Sequence, residues 1–218
     1  MSKIHIYCMP GLAASPRIFE HVKLPETQFE IHLLSWKIPL STNESIQEYA
    51  ARMCKDIVHK CPVLIGVSFG GVLVQEMSKL IDTKNVIIIS SIKTHRELPN
   101  RLKLAKVTKA YKLFPTRLVE NLEEYTKYFF GDFLKKRAEL YHMYLSVRNK
   151  RYMEWAIYNV LHWKQEHPPE NLTHIQGLED NVFPVRYIKG FIPVKNGTHV
   201  MILMKAKVIS LIICNALT

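Results

Sequence analysis

An α/β fold with a mostly parallel sheet, covered by helices on both faces, is the class this 218-residue sequence predicts, on three observations. Short continuous apolar runs recur between segments of helical periodicity, which is the pattern of strands buried on both faces. One such run, Val63-Leu64-Ile65-Gly66-Val67, breaks at Ser68 into Phe69-Gly70-Gly71 and a helix with an apolar face. The alternation then stops from Ile92 to His167, where the spacing is helical only, and resumes afterwards.

Taken in order, residues 3–9 and 29–36 are β-rich apolar segments, the second carrying Ile31, Leu33 and Leu34. Ser45-Ile46-Gln47-Glu48 has the form of a capping box, so a helix is expected from there to His59. A third strand follows over 61–67, a helix over 70–81, and a fully buried strand over Asn85-Val86-Ile87-Ile88-Ile89-Ser90-Ser91. In the helical stretch Leu104, Val107, Tyr111 and Phe114 share a face, as do Leu118, Leu122, Tyr125 and Phe129, and then Met153, Ile157 and Val160. Strands are expected again over 171–176 and 190–194, and residues 201–215 close the chain as one helix.

With 48% hydrophobic residues, the chain can bury one sizeable core, so one domain with an insertion is expected rather than two domains. The first residues, Met1-Ser2-Lys3-Ile4-His5, lack a signal peptide's apolar stretch, and Lys205 and Lys207 interrupt the apolar tail, so a cytoplasmic protein with no integral membrane segment is expected. Cys8, Cys54, Cys61 and Cys214 form no C-x-x-C pair and read as buried free thiols. The net charge of +11 is localised: residues 93–151 hold fifteen Lys and Arg against six Asp and Glu. Solvation of outer helix faces explains such an excess, and attraction of an anionic substrate or surface is the functional alternative. Nucleic acid is not expected, because Tyr111, Phe114, Tyr125, Phe129 and Tyr141 fall at helical core spacing.

The chemistry begins at Gly66-Val67-Ser68-Phe69-Gly70, where small residues let a strand turn sharply into a helix and hold a hydroxyl at the sheet edge. Ser68 is the candidate nucleophile, against a structural turn serine. A serine needs a base, and the base an orienting acid. Past the strand 172–176 lies Gly177-Leu178-Glu179-Asp180, and past 191–194 lies Gly197-Thr198-His199. Asp180 is the candidate acid, with Glu179 its neighbouring competitor. His199 is the candidate base by position, with His174 and His167 as rivals.

This Ser, Asp, His order on a strand-to-helix elbow resembles the α/β-hydrolase superfamily, over nearly the whole chain. Met9-Pro10-Gly11-Leu12-Ala13-Ala14-Ser15 is similar to its oxyanion loop, although Pro10 stands where a His is usual. Gly177-Leu178-Glu179-Asp180-Asn181-Val182-Phe183-Pro184 resembles its acid loop, and Gly197-Thr198-His199-Val200 its histidine loop. The resemblance implies an α/β-hydrolase fold with a minimal six-stranded sheet that lacks the family's two antiparallel edge strands. It implies a core of residues 1–91 and 168–218 with a helical cap over 92–167, and oxyanion donors at Leu12 and Phe69. The implied activity is hydrolysis of a carboxylic ester or thioester of a small-molecule acyl substrate, with no cofactor and no metal needed. Hydrolysis of a carbon–carbon bond in a diketone-like acid, and a catalytically silent ligand-binding protein, are the alternatives. A Ser at position 68 argues against dehalogenase or epoxide hydrolase chemistry, which in this fold uses an Asp. Trp155 is a candidate for the substrate pocket, with core packing as the alternative for it and for Trp163.

Overall fold

The computed structural model describes residues 3–113, 144, 147 and 149–218. Six strands form one sheet in the order β2-β1-β3-β4-β5-β6: β1 Ile4–Met9, β2 Phe29–Leu33, β3 Val63–Val67, β4 Asn85–Ile89, β5 Leu172–Gly177 and β6 Ile192–Val194. Every pairing is parallel. All five residues of central β3 are buried, whereas edge strand β2 buries only Phe29. That difference follows from position, since a central parallel strand is covered on both faces and an edge strand is not.

β2 lies on one side of β1 and β3 on the other, so right-handed crossovers send the connections to opposite faces. Helix α1, Ile46–Cys54, packs on α2, Phe69–Met77. The 3-10 turn Pro16–Phe19 packs against the short helix Met201–Met204 near the end of the chain. The α1 capping box is formed: Ser45 Oγ accepts from Glu48 N–H at 3.2 Å, and Glu48 Oε2 accepts from Ser45 N–H at 2.8 Å. Such a cap contributes about 1 kcal/mol. The helix ends five residues before His59, because Val58 N–H is drawn to the Tyr7 hydroxyl at 3.2 Å.

The closing segment is two helices rather than one. Between Met201–Met204 and Ala206–Leu217, Lys205 leaves helical geometry at φ −123° and ψ 24°. The first piece docks on Pro16–Phe19, while Ser210 Oγ of the second accepts Lys23 N–H at 2.9 Å, so the two pieces answer to different partners.

Among the described residues of 92–167 the regular elements are helical: α3 Asn100–Val107, α4 Lys150–His162 and two 3-10 turns. α4 buries Tyr152, Met153, Trp155 and Ala156 in the core shared with the sheet helices. α3 buries nothing: Leu104 and Val107, which the helical spacing puts on one face with Tyr111 and Phe114, are 63% and 78% exposed. The expected face through Leu118, Leu122, Tyr125 and Phe129, with Phe114 and Tyr141, lies outside the described residues. Cys8 is buried, which pushes its thiol up to about 12, and Cys54 and Cys214 are half-buried. Cys61 corrects the expectation of buried thiols: it is exposed, in a turn with φ 46° ahead of β3.

Candidate active site

The elbow after β3 is set by two close approaches of backbone to backbone. A Cβ on Gly66 would lie 2.3 Å from the Gly70 carbonyl oxygen, and one on Gly70 would lie 2.3 Å from that of Pro10. Only glycine allows this packing, and between the two glycines Ser68 is held at φ 52°, ψ −120°. That is a costly conformation for a residue with a side chain. Ser68 N–H donates to Ile89 O at 2.9 Å, and Ser91 Oγ donates to Ser68 O at 2.7 Å, so both ends of the strained residue are tied to β4 and the turn after it.

Two loops bring the partners. The acid loop leaves β5 and the histidine loop leaves β6, and they touch at Gly177 and Gly197, where a Cβ on Gly177 would lie 2.2 Å from the Gly197 carbonyl oxygen. Glu179 N–H donates to that oxygen at 2.9 Å, locking the loops together. The result is a relay: Ser68 Oγ lies 3.0 Å from His199 Nε2, and His199 Nδ1 lies 2.9 Å from Asp180 Oδ2 and 3.2 Å from Oδ1. Phe183 meets the imidazole edge-on at 5.6 Å, limiting its rotation.

Asp180 is buried, which disfavours its charge. The His199 ring and the N–H groups of Val182 and Phe183, at 2.8 and 2.9 Å from Oδ1, outweigh that penalty and hold the carboxyl below its ordinary value. Glu179 is exposed, and among the described residues its carboxylate makes no hydrogen bond to Ser68, His199 or Asp180. His174 is buried, and burial together with the nearby Lys93 charge lowers its pKa to about 4. His167 is exposed. Of the three histidines considered, His199 alone is within reach of Ser68.

The loop Pro10–Ser15 lies beside the serine, with Gly11 facing Ser68 Cβ. With proline before Gly11, its support comes from elsewhere: Trp36 Nε1 donates to Gly11 O at 2.8 Å, and Ala13 N–H donates to the Tyr152 hydroxyl at 3.2 Å. Trp36 in turn stacks on Phe69 with centroids 5.2 Å apart and 9° between planes, so it touches Phe69 and the carbonyl of the peptide whose N–H is that of Leu12. Among the described residues no acceptor is hydrogen-bonded to the N–H of Leu12 or Phe69.

Trp155 is a correction. It is 0% exposed, packs on Tyr49 at 4.2 Å and spends its indole N–H on Glu44 O at 2.7 Å, so it is a core residue and not a pocket wall. Trp163 is buried too, with its N–H on Glu76 Oε1 at 2.7 Å. Sequence reasoning missed Gln176, the buried penultimate residue of β5. Its Nε2 donates to Asp180 Oδ2 at 2.9 Å and to Phe183 O at 2.8 Å, while its Oε1 faces His174 Nε2 at 3.1 Å. The available signal was an amide side chain in the strand that leads to the acid loop, four residues before the acid.

No family model matches the sequence, and no curated protein matches it significantly. The three-dimensional structure does match solved structures. A bromoperoxidase from Bacillus anthracis superposes with a TM-score of 0.74 at 15% identity, covering 99% of this chain and 92% of that one. The enol-lactonase from Burkholderia xenovorans LB400 gives 0.67 at 12% identity, over 100% and 92%. A lipase-esterase related protein from Clostridium acetobutylicum gives 0.63 at 15%, over 97% and 93%. With the six-stranded parallel sheet, these likenesses define the fold: the chain has the α/β-hydrolase fold. Among the described residues no helix is long and apolar enough to cross a membrane.

Proposed function

We propose that the protein is a serine hydrolase of carboxylic esters or thioesters, working through an acyl-enzyme without a cofactor. The observation that carries this reading is the unbroken hydrogen-bonded path from Ser68 Oγ through His199 to Asp180, anchored at a strained serine. His199 Nε2 takes the hydroxyl proton as Ser68 attacks the carbonyl carbon, and Asp180 holds the tautomer in which Nε2 is unprotonated and stabilises the imidazolium. The N–H groups of Leu12 and Phe69 receive the developing oxyanion, helped by the positive end of α2. His199 then gives its proton to the departing alcohol or thiol, and a water activated by the same imidazole releases the acid. Two structural neighbours, an enol-lactonase and a lipase-esterase related protein, are consistent with this bond class. Four free cysteines suit a reducing compartment and support cytosolic residence.

The basic excess over 93–151 supports an anionic acyl substrate. Added salt should then lower kcat/KM for a charged ester and leave a neutral one nearly unchanged, and equal sensitivity would remove the charge from the reading. The primary test is a panel of p-nitrophenyl esters of increasing chain length and of acyl-thioesters, run with the parent protein and Ser68→Ala. Turnover of at least one substrate and its loss in Ser68→Ala is the expected result, together with fluorophosphonate labelling of the parent alone. A Ser68→Ala protein that keeps its rate overturns the proposal. Cleavage of a diketone-like acid in preference to every ester would move the activity to carbon–carbon hydrolysis on the same residues.

A further inference from the structure

We propose that His5, His32 and His59, with Glu30, form a binding site for one divalent transition-metal ion, on the sheet edge away from Ser68. The parallel register builds most of it. His5 pairs with Glu30 and Tyr7 with His32, so these four side chains share one face of β1 and β2. His5 Nδ1 and His32 Nε2 approach to 3.1 Å, and the Glu30 carboxylate comes within 3.7 Å of the first nitrogen and 3.8 Å of the second. His59, from the loop after α1, stacks on His5 with centroids 3.5 Å apart, and one ligand nitrogen from each of the three rings lies within 4.8 Å of the others.

Ligand nitrogens at about 2.0–2.1 Å from a tetrahedral ion stand roughly 3.3 Å apart, so the His5 and His32 nitrogens are already at coordination spacing. The hydrogen they share moves to the far nitrogen of the ring that carries it, which frees both lone pairs. Glu30 closes by well under about 1 Å, and His59 turns out of its stack to complete the set. Three imidazoles and a carboxylate suit a borderline ion such as Zn²⁺ and not Mg²⁺ or Ca²⁺, which prefer all-oxygen sites. An outer bond is present as well: the Tyr7 hydroxyl meets His59 Nδ1 at 2.7 Å and accepts Val58 N–H at 3.2 Å. The site is reachable, with side chains of His5, His32 and Glu30 26%, 25% and 48% exposed. Tyr7 is level with Leu64, four residues before Ser68 along β3, about 13 Å along the strand alone. The ion would therefore clip edge strand β2 and the post-α1 loop to β1 without touching the hydrolytic residues.

The test is a calorimetric titration of the full chain carrying Cys61→Ser, which removes the exposed thiol, with Zn²⁺ and separately with Mg²⁺. One Zn²⁺ per chain, a melting temperature that rises with Zn²⁺ but not Mg²⁺, and affinity at least about tenfold weaker in His32→Gln and in Glu30→Gln are expected. Since a histidine variant can fail to fold, the parent is also treated with diethyl pyrocarbonate. Zn²⁺ should protect His5, His32 and His59 and leave exposed His167 reactive. No saturable Zn²⁺ binding, unchanged affinity in both variants, or unprotected histidines at saturating Zn²⁺ would overturn the proposal.

Discussion

Replacing Asp180 by Asn separates position from charge at the acid. Asn keeps the oxygen that accepts Val182 and Phe183 N–H at 2.8 and 2.9 Å, so the loop retains its shape. Its amide nitrogen then occupies the place of Oδ2, which faces Gln176 Nε2 and His199 Nδ1, both at 2.9 Å. Two donors now meet a donor. His199 relieves its clash by moving its proton to Nε2, the nitrogen 3.0 Å from Ser68 Oγ, and can no longer accept the hydroxyl proton. The wrong tautomer should cost about four orders of magnitude in kcat, or about 5 kcal/mol of barrier. The lost charged hydrogen bonds should cost only about 2 kcal/mol of stability. Steady-state kinetics on the best ester from the panel, beside urea denaturation, measures both. A kcat within about tenfold of the parent, or a larger loss in Glu179→Gln than in Asp180→Asn, would refute the assignment.

Trp36→Phe removes the indole N–H from the Gly11 carbonyl and should lower kcat about tenfold with little change in KM, because the loop it holds is needed most when the oxyanion forms. A change confined to KM would count against that role. Gly66→Ala should destabilise by about 3 kcal/mol or more, since its Cβ meets a backbone oxygen that cannot yield, and chemical denaturation checks it. His174 has its pKa lowered from 6.5 to about 4, chiefly by burial, so the unfolded chain binds its proton first on acidification. The neutral ring's contribution is complete above about pH 6.5 and is lost as pH falls toward 4, by about 3 kcal/mol. His174→Phe should flatten the stability curve over that interval, and an unchanged slope would refute the assignment.

The sequence by itself determined the parallel architecture, because strands covered on both faces must be apolar where they are covered, as β3 is throughout and β4 is after Asn85. It also marked Ser68, Asp180 and His199, since each sits in a loop after a strand, and parallel strands deliver their ends to one edge of the sheet. Gly66 and Gly70 were legible for the same local reason: a tight strand-to-helix turn demands residues without side chains. Tertiary structure alone decided what lies between segments distant in the chain. Gln176 reaches Asp180 only after β5 and its loop fold back, and Trp36 supports Gly11 only across the β1 and β2 pairing. Helical spacing put Leu104 and Val107 on one apolar face, yet both are exposed, since periodicity records a face and not whether anything covers it. Trp155 is the reverse case: its position around a helix left pocket and core open, and the choice was made by the Tyr49 ring and the Glu44 carbonyl, more than a hundred residues earlier in the chain.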